Sequence, residues 1–231
     1  MKQSKEVWSR TTTTIFNSVL IFAICGILLP IIESIAGAAR ELALQGGGLL
    51  GSIGLSKTFI SFSTGGGLGI FCSLLFAGML YGWHAFSKGL TEFEGVVDPA
   101  DRPYIAKMRT AVQLLLLGFG VRFILGFVIL PGAIWLDNIL FAVYFLGCLG
   151  GYFLMLLSFS ELKNSPTFPE MARSGAGLLF IAMILLMVGP GLRLLSMALS
   201  FGFIAGVFNI VATIAGFIIL IFGWSKIKSA V

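Results

Sequence analysis

Uncharged apolar runs alternate with short polar stretches along this whole chain. Residues 11–32, 58–87, 139–160, 174–192 and 194–225 contain no Asp, Glu, Lys or Arg, and 110–136 is interrupted only by Arg122. A helix rises about 1.5 Å per residue, so roughly 20 apolar residues cross the ~30 Å hydrocarbon core of a bilayer. A transmembrane barrel would instead alternate apolar and polar positions over strands of about ten residues. The stretch "LLLLGFGVRFILGFVIL", residues 114–130, does not alternate. The pattern predicts an all-α integral membrane protein, a single transmembrane domain over residues 1–231. Six transmembrane helices, at about 15–36, 65–86, 110–130, 139–160, 175–189 and 201–224, are arranged as three helical hairpins.

The punctuation fits that layout. The threonine run 11–14 stands where a helix cap belongs. A glycine-rich outer connection, 37–60, follows the first span, and a polar loop, 88–109, with Pro99 and Pro103 follows the second. Pro166 and Pro169 mark a third break, and "GPGLR" after residue 188 is expected to turn or kink the chain. Each hairpin has a proline near its outer turn, Pro30, Pro131 or Pro190, and a similar exit, "AFSKGL", "SFSELK" or "GWSKIK". Parallel repeats of this kind occur in transporters, although interfacial anchoring also favours aromatic-Ser-Lys at a boundary. A cleaved leader is a competing reading of the first span, with Ala36-Gly37-Ala38 as its cut site. The apolar run is longer than a signal core.

Composition sharpens the picture. The chain is 58% hydrophobic and 11% charged, against roughly a quarter charged in soluble domains. Its net charge of +5 comes from residues scattered over the connections, not gathered into a stripe, so no nucleic-acid partner is expected. Lys2, Lys5, Arg10, Lys88, Arg102, Lys107, Arg109, Lys163, Arg173, Lys226 and Lys228 fall on one side of the expected bundle, and Arg40, Lys57 and Arg193 on the other. The positive-inside rule then puts both termini and the 88–109 loop in the cytosol, with the chain multi-pass in the cytoplasmic membrane.

Chemistry is sparse. Cys25, Cys72 and Cys148 lie inside spans, where cysteine acts as a small hydrophobe. "GSIGLSKT", residues 51–58, resembles a phosphate loop but has Ser56 where the second glycine belongs and no strand before it. His84 is the chain's single histidine, too few for a metal site or acid–base work. Glu92, Glu94, Asp98 and Asp101 alternate with basic residues, as in a solvated loop. No catalytic, cofactor-binding or metal residue is therefore expected, and no cofactor.

Arg122 is the most informative polar residue. An arginine far inside a span is costly and turns toward protein or water. Glu33 and Asp137 are its candidate counter-charges, and Arg193 a candidate companion in an intramembrane polar site. Small residues give a packing signal: Gly65 and Gly69, Gly78 and Gly82, Gly147 and Gly151, and Gly202, Gly206 and Gly216 recur at helical spacing, with Asn209 among them. Such positions let backbones approach closely, and Asn209 and Gln113 are polar enough to lock helix pairs.

The sequence is read as a small integral subunit or scaffold of a membrane assembly, with lipid and other membrane chains or its own copies as partners. The alternative is a channel or transporter for a small anionic solute, with Arg122 as the binding charge. On a cysteine-free background, single cysteines placed at Gly95 and Ala230 should react with an impermeant maleimide only after cells are opened, and one at Ser56 in intact cells. Opposite behaviour of Gly95 and Ala230 would overturn six spans.

Overall fold

The computed structural model describes residues 2–45, 66–125, 134–199 and 202–231, with side chains over 5–32, 71–124, 139–192, 194–195 and 207–231. Among these residues the chain is all-helical: α1 Lys2–Gln45, α2 Gly66–Glu94, α3 Arg102–Leu125, α4 Ile134–Asn164, α5 Glu170–Leu199 and α6 Gly202–Lys228. Five contain stretches long and apolar enough to cross a membrane: Lys5–Ile32, Arg102–Ile124, Ile139–Asn164, Glu170–Leu192 and Val207–Lys228. In α2 the described side chains begin at Phe71 and run into His84, Lys88, Glu92 and Glu94.

The helices outrun the apolar segments. The threonine run is inside α1 and caps nothing: Thr11 and Thr12 are buried, and the Thr12 hydroxyl donates to the Trp8 carbonyl at 2.8 Å. The cause is tertiary, because the Trp8 indole N–H donates to the Ile227 carbonyl at 3.2 Å and docks the polar start of α1 on the end of α6. Of the expected loop 88–109, only residues 95–101 are non-helical. Arg109 pairs with Glu94 at 2.7 Å across that short connection, a partly exposed contact worth at most about 1 kcal/mol. Helix α1 also runs on through residues 37–45. Helix α5 continues past Pro190 where a turn or kink was expected; the helix loses one backbone hydrogen bond there without ending.

Each helix packs against the next in sequence, and α6 packs against α1, so the six form a closed ring. Glycine seams hold the hairpins. A methyl group at Gly78 would come within 2.6 Å of the Cys25 sulfur, and one at Gly82 within 2.9 Å of the Phe22 backbone nitrogen. Between α3 and α4, Gly147 faces Gly118 and Gly151 faces the Ala111 carbonyl. Between α5 and α6, Gly175 faces the Gly223 carbonyl and Gly216 faces Leu186. The ring closes on α1 where Gly26 receives the Phe217 ring.

Aromatic rings fill the middle of the ring of helices. Phe22 stacks on Trp83 with centroids 3.8 Å apart, and Phe217 and Tyr152 border that pair from α6 and α4. The next contacts gather Phe86, Trp224 and Phe159, the aromatics of the three similar exit sequences, with Trp224 5.4 Å from Phe86 and 6.3 Å from Phe159. At the end bearing both termini, Trp8, Phe93 and Phe168 form a closed triangle. Edge-to-face pairs of this kind add about 0.5–1.5 kcal/mol each beyond area burial. The outer surface is apolar as well: Ile24, Leu74, Leu117, Leu146, Ile184 and Phe222, one from each helix, are exposed.

Gly151→Leu should therefore cost about 1–3 kcal/mol or more by overpacking, seen as a lower midpoint in sodium dodecyl sulfate titration of the detergent-solubilised protein. Gly120→Ala, whose methyl meets nothing within 4 Å, should be neutral or gain about 0.5–1 kcal/mol in helix propensity. Equal midpoints for the two variants would contradict the seam.

Candidate functional site

Two polar centres stand out at opposite ends of the bundle. At the end away from the termini Arg122, on α3, is half-buried between α2 and α4. Its guanidinium carbon lies 5.2 Å from the Phe76 ring centroid and 5.3 Å from that of Phe141. A cation held between two ring faces gains roughly 0.5–2 kcal/mol per contact, the more so away from water. One turn earlier, a methyl group at Gly118 would meet the Tyr144 carbonyl at 3.0 Å, so α3 and α4 close tightly just beneath the arginine. The side chains of Glu33, Asp137 and Arg193 lie outside the described residues, as do Gly65 and the surroundings of Gly69, Gly202 and Gly206.

The remaining small-residue positions are brought together within the chain. Gly78 and Gly82 meet α1, Gly147 and Gly151 meet α3, and Gly216 meets α5. Asn209 fits against Gly189 of α5 and accepts a hydrogen bond from Thr213 at 3.3 Å. Gln113 points outward instead and is exposed, so it does not lock a helix pair. Cys25, Cys72 and Cys148 form no disulfide, and Cys148 is buried where Gly118 and Gly147 cross. His84 is exposed beside the buried Trp83. Among the described residues no three of His, Cys, Asp and Glu gather to hold a metal.

The second centre, at the end of the bundle with both termini, is one that sequence reasoning missed. Asp101 is only 1% exposed, in contrast to the solvated loop expected for it. One carboxylate oxygen accepts the Ser165 hydroxyl at 2.6 Å and the other accepts Thr167 at 2.9 Å. Its carbonyl accepts the Tyr104 and Ile105 amides, starting α3. One side chain thus ties the α2–α3 connection to the α4–α5 connection. Its position before Arg102 and Pro103 is a helix-start signal. Nothing local marks it as buried, because the groups that cover it come from more than sixty residues away. Beside it lies a recess of about 200 Å³ bordered by Trp8, Val97, Asp98, Thr167 and Phe168.

No protein-family model matches the chain, and neither a curated protein nor a solved structure matches it.

Hydrogen bonds to a charged group contribute about 1.5–3 kcal/mol, so Asp101→Ala and Ser165→Ala should each destabilise by an amount in that range. The double variant should cost clearly less than the two together, as contacting partners do. Additive losses in a detergent unfolding titration would show that Ser165 is not held by Asp101.

Proposed function

We propose that this chain is an integral membrane protein of six spans in three hairpins, both termini cytosolic, that serves as a compact subunit or scaffold of a membrane assembly. The observation that carries the reading is the aromatic filling of the helix ring. Phe22, Trp83, Phe217, Phe86, Trp224 and Phe159 occupy the axis that a conduit would use, and all six are buried. The buried Asp101 carboxylate is spent on contacts within the chain, to Ser165 and Thr167. What the molecule offers outward is an apolar face on every helix. A continuous exposed apolar surface marks contact with lipid or with partner helices. Among the described residues the glycine seams are consumed inside the chain, so partner contact on this reading falls on side chains such as Leu74, Leu146 and Phe222.

A second reading, an anion channel or transporter, draws support from Arg122, a cation held between α2 and α4. Flux separates the two. Proteoliposomes should pass chloride, phosphate and sulfate no faster than empty vesicles. Gentle extraction followed by cross-linking should recover the chain with neighbouring membrane chains or its own copies. Anion flux that disappears in a folded Arg122→Gln variant would replace the subunit reading with the transporter. Release of the chain by alkaline carbonate would remove the membrane reading itself.

A further inference from the structure

From the cytosolic half of the α4–α5 groove, we infer that it is a binding site for the headgroup of an anionic phospholipid. The inference rests on the membrane reading above. Arg173, Gly177, Phe180 and Ile184 follow one another at three- and four-residue spacing, and so form a single stripe along α5. The stripe opens with a cation. Arg173 is half-buried, and its Nε is sealed from solvent with no hydrogen-bond partner. A second cation reaches the same stripe from α4: the Lys163 ammonium lies over the Phe180 ring, 4.1 Å from its centroid. Arg173 and Phe180 are seven residues apart, about 10 Å of helix rise. Gly177 stands between them, and a methyl group there would meet nothing within 4 Å. That leaves an open notch flanked by two positive charges.

Among the described residues neither cation is paired with a carboxylate. Glu161 and Glu170, the acidic residues on the adjoining turns, are exposed, and the ion pair among the described residues joins Arg109 to Glu94 instead. Beyond the notch the stripe becomes apolar and outward-facing at Ile184. A ligand that fits carries negative charge at one end and hydrocarbon at the other, in that order along α5. Basic residues between helices at the cytosolic side recognise anionic headgroups by this same complementarity.

The test is native mass spectrometry of the full chain released from nanodiscs made of phosphatidylglycerol and phosphatidylcholine in equal parts. The wild type should retain phosphatidylglycerol roughly thirtyfold over phosphatidylcholine, the scale expected for two basic residues at an anionic headgroup. Lys163→Gln with Arg173→Gln should bring the ratio near parity. Gly177→Phe should do the same by filling the notch with the charges unchanged, while Lys163→Arg and the distant Lys107→Gln should keep the preference. No preference in the wild type, or one that survives both the double variant and Gly177→Phe, overturns the site. Binding of inorganic phosphate without any preference between the lipids also overturns it. A chain that never enters nanodiscs would sink the membrane reading, whereas one that enters without lipid preference leaves that reading standing.

Discussion

Backbone approach at glycine is the contact on which the rest of this structure depends. At Gly82, Gly151 and Gly175 a single added carbon would stand about 3 Å or less from a facing backbone atom, so each hairpin is closed as far as its main chains allow. The distance across a seam fixes how far inward the outer helices of the ring can move. That inward reach decides whether Phe22 can lie flat on Trp83 at 3.8 Å and whether Phe217 can enter the space beside Gly26. Dispersion contacts weaken steeply once a gap of even 0.5–1 Å opens. The seams and the aromatic axis are therefore one device: small residues set the radius, and rings fill what it leaves.

The same economy governs the polar groups. The Trp8 indole and the Asp101 carboxylate join elements distant in sequence, α1 to α6 and one connection to another, while Asn209 fits α6 against the neighbouring α5 at Gly189. They are few, and each sits where packing alone would leave freedom, at helix ends or beside a proline-bearing helix. A buried carboxylate is costly unless its oxygens are hydrogen-bonded. Asp101 meets that condition with two hydroxyls, which makes the register between the two connections specific and not merely compact.

The helical class and the presence of six helices were legible because uncharged runs of this length have little alternative. The glycine spacing was also visible, though not what each stripe would face: Gly147 and Gly118 meet only because α3 and α4 form a hairpin of a particular register. Helix ends were not legible. The first fourteen residues are polar enough to pass for a tail, and residues 2–14 are helical because Trp8 finds the Ile227 carbonyl across the ring. Proline marked the breaks at Pro99 and at Pro166 and Pro169 but not at Pro190, where the helix continues despite a missing N–H. Ring closure between α1 and α6 and the burial of Asp101 depend on residues far apart in the chain, and local pattern carries no trace of either. Gln113 shows the converse error: a polar residue in an apolar run invites a packing role, yet its position on α3 turns it outward.

The placement of the cations follows from the filled axis. With rings occupying the centre, a long basic side chain has two places to go: out past the helix ends, or onto an aromatic face in a groove. Lys228 over Phe16, Lys163 over Phe180 and Arg122 between Phe76 and Phe141 all take the second course. An aromatic face attracts a cation without neutralising it. Positive charge is thus held in grooves between helices, with Lys163 on the Phe180 ring and Lys228 on the Phe16 ring. With the axis filled by rings, the grooves between helices are where these basic side chains meet aromatic faces.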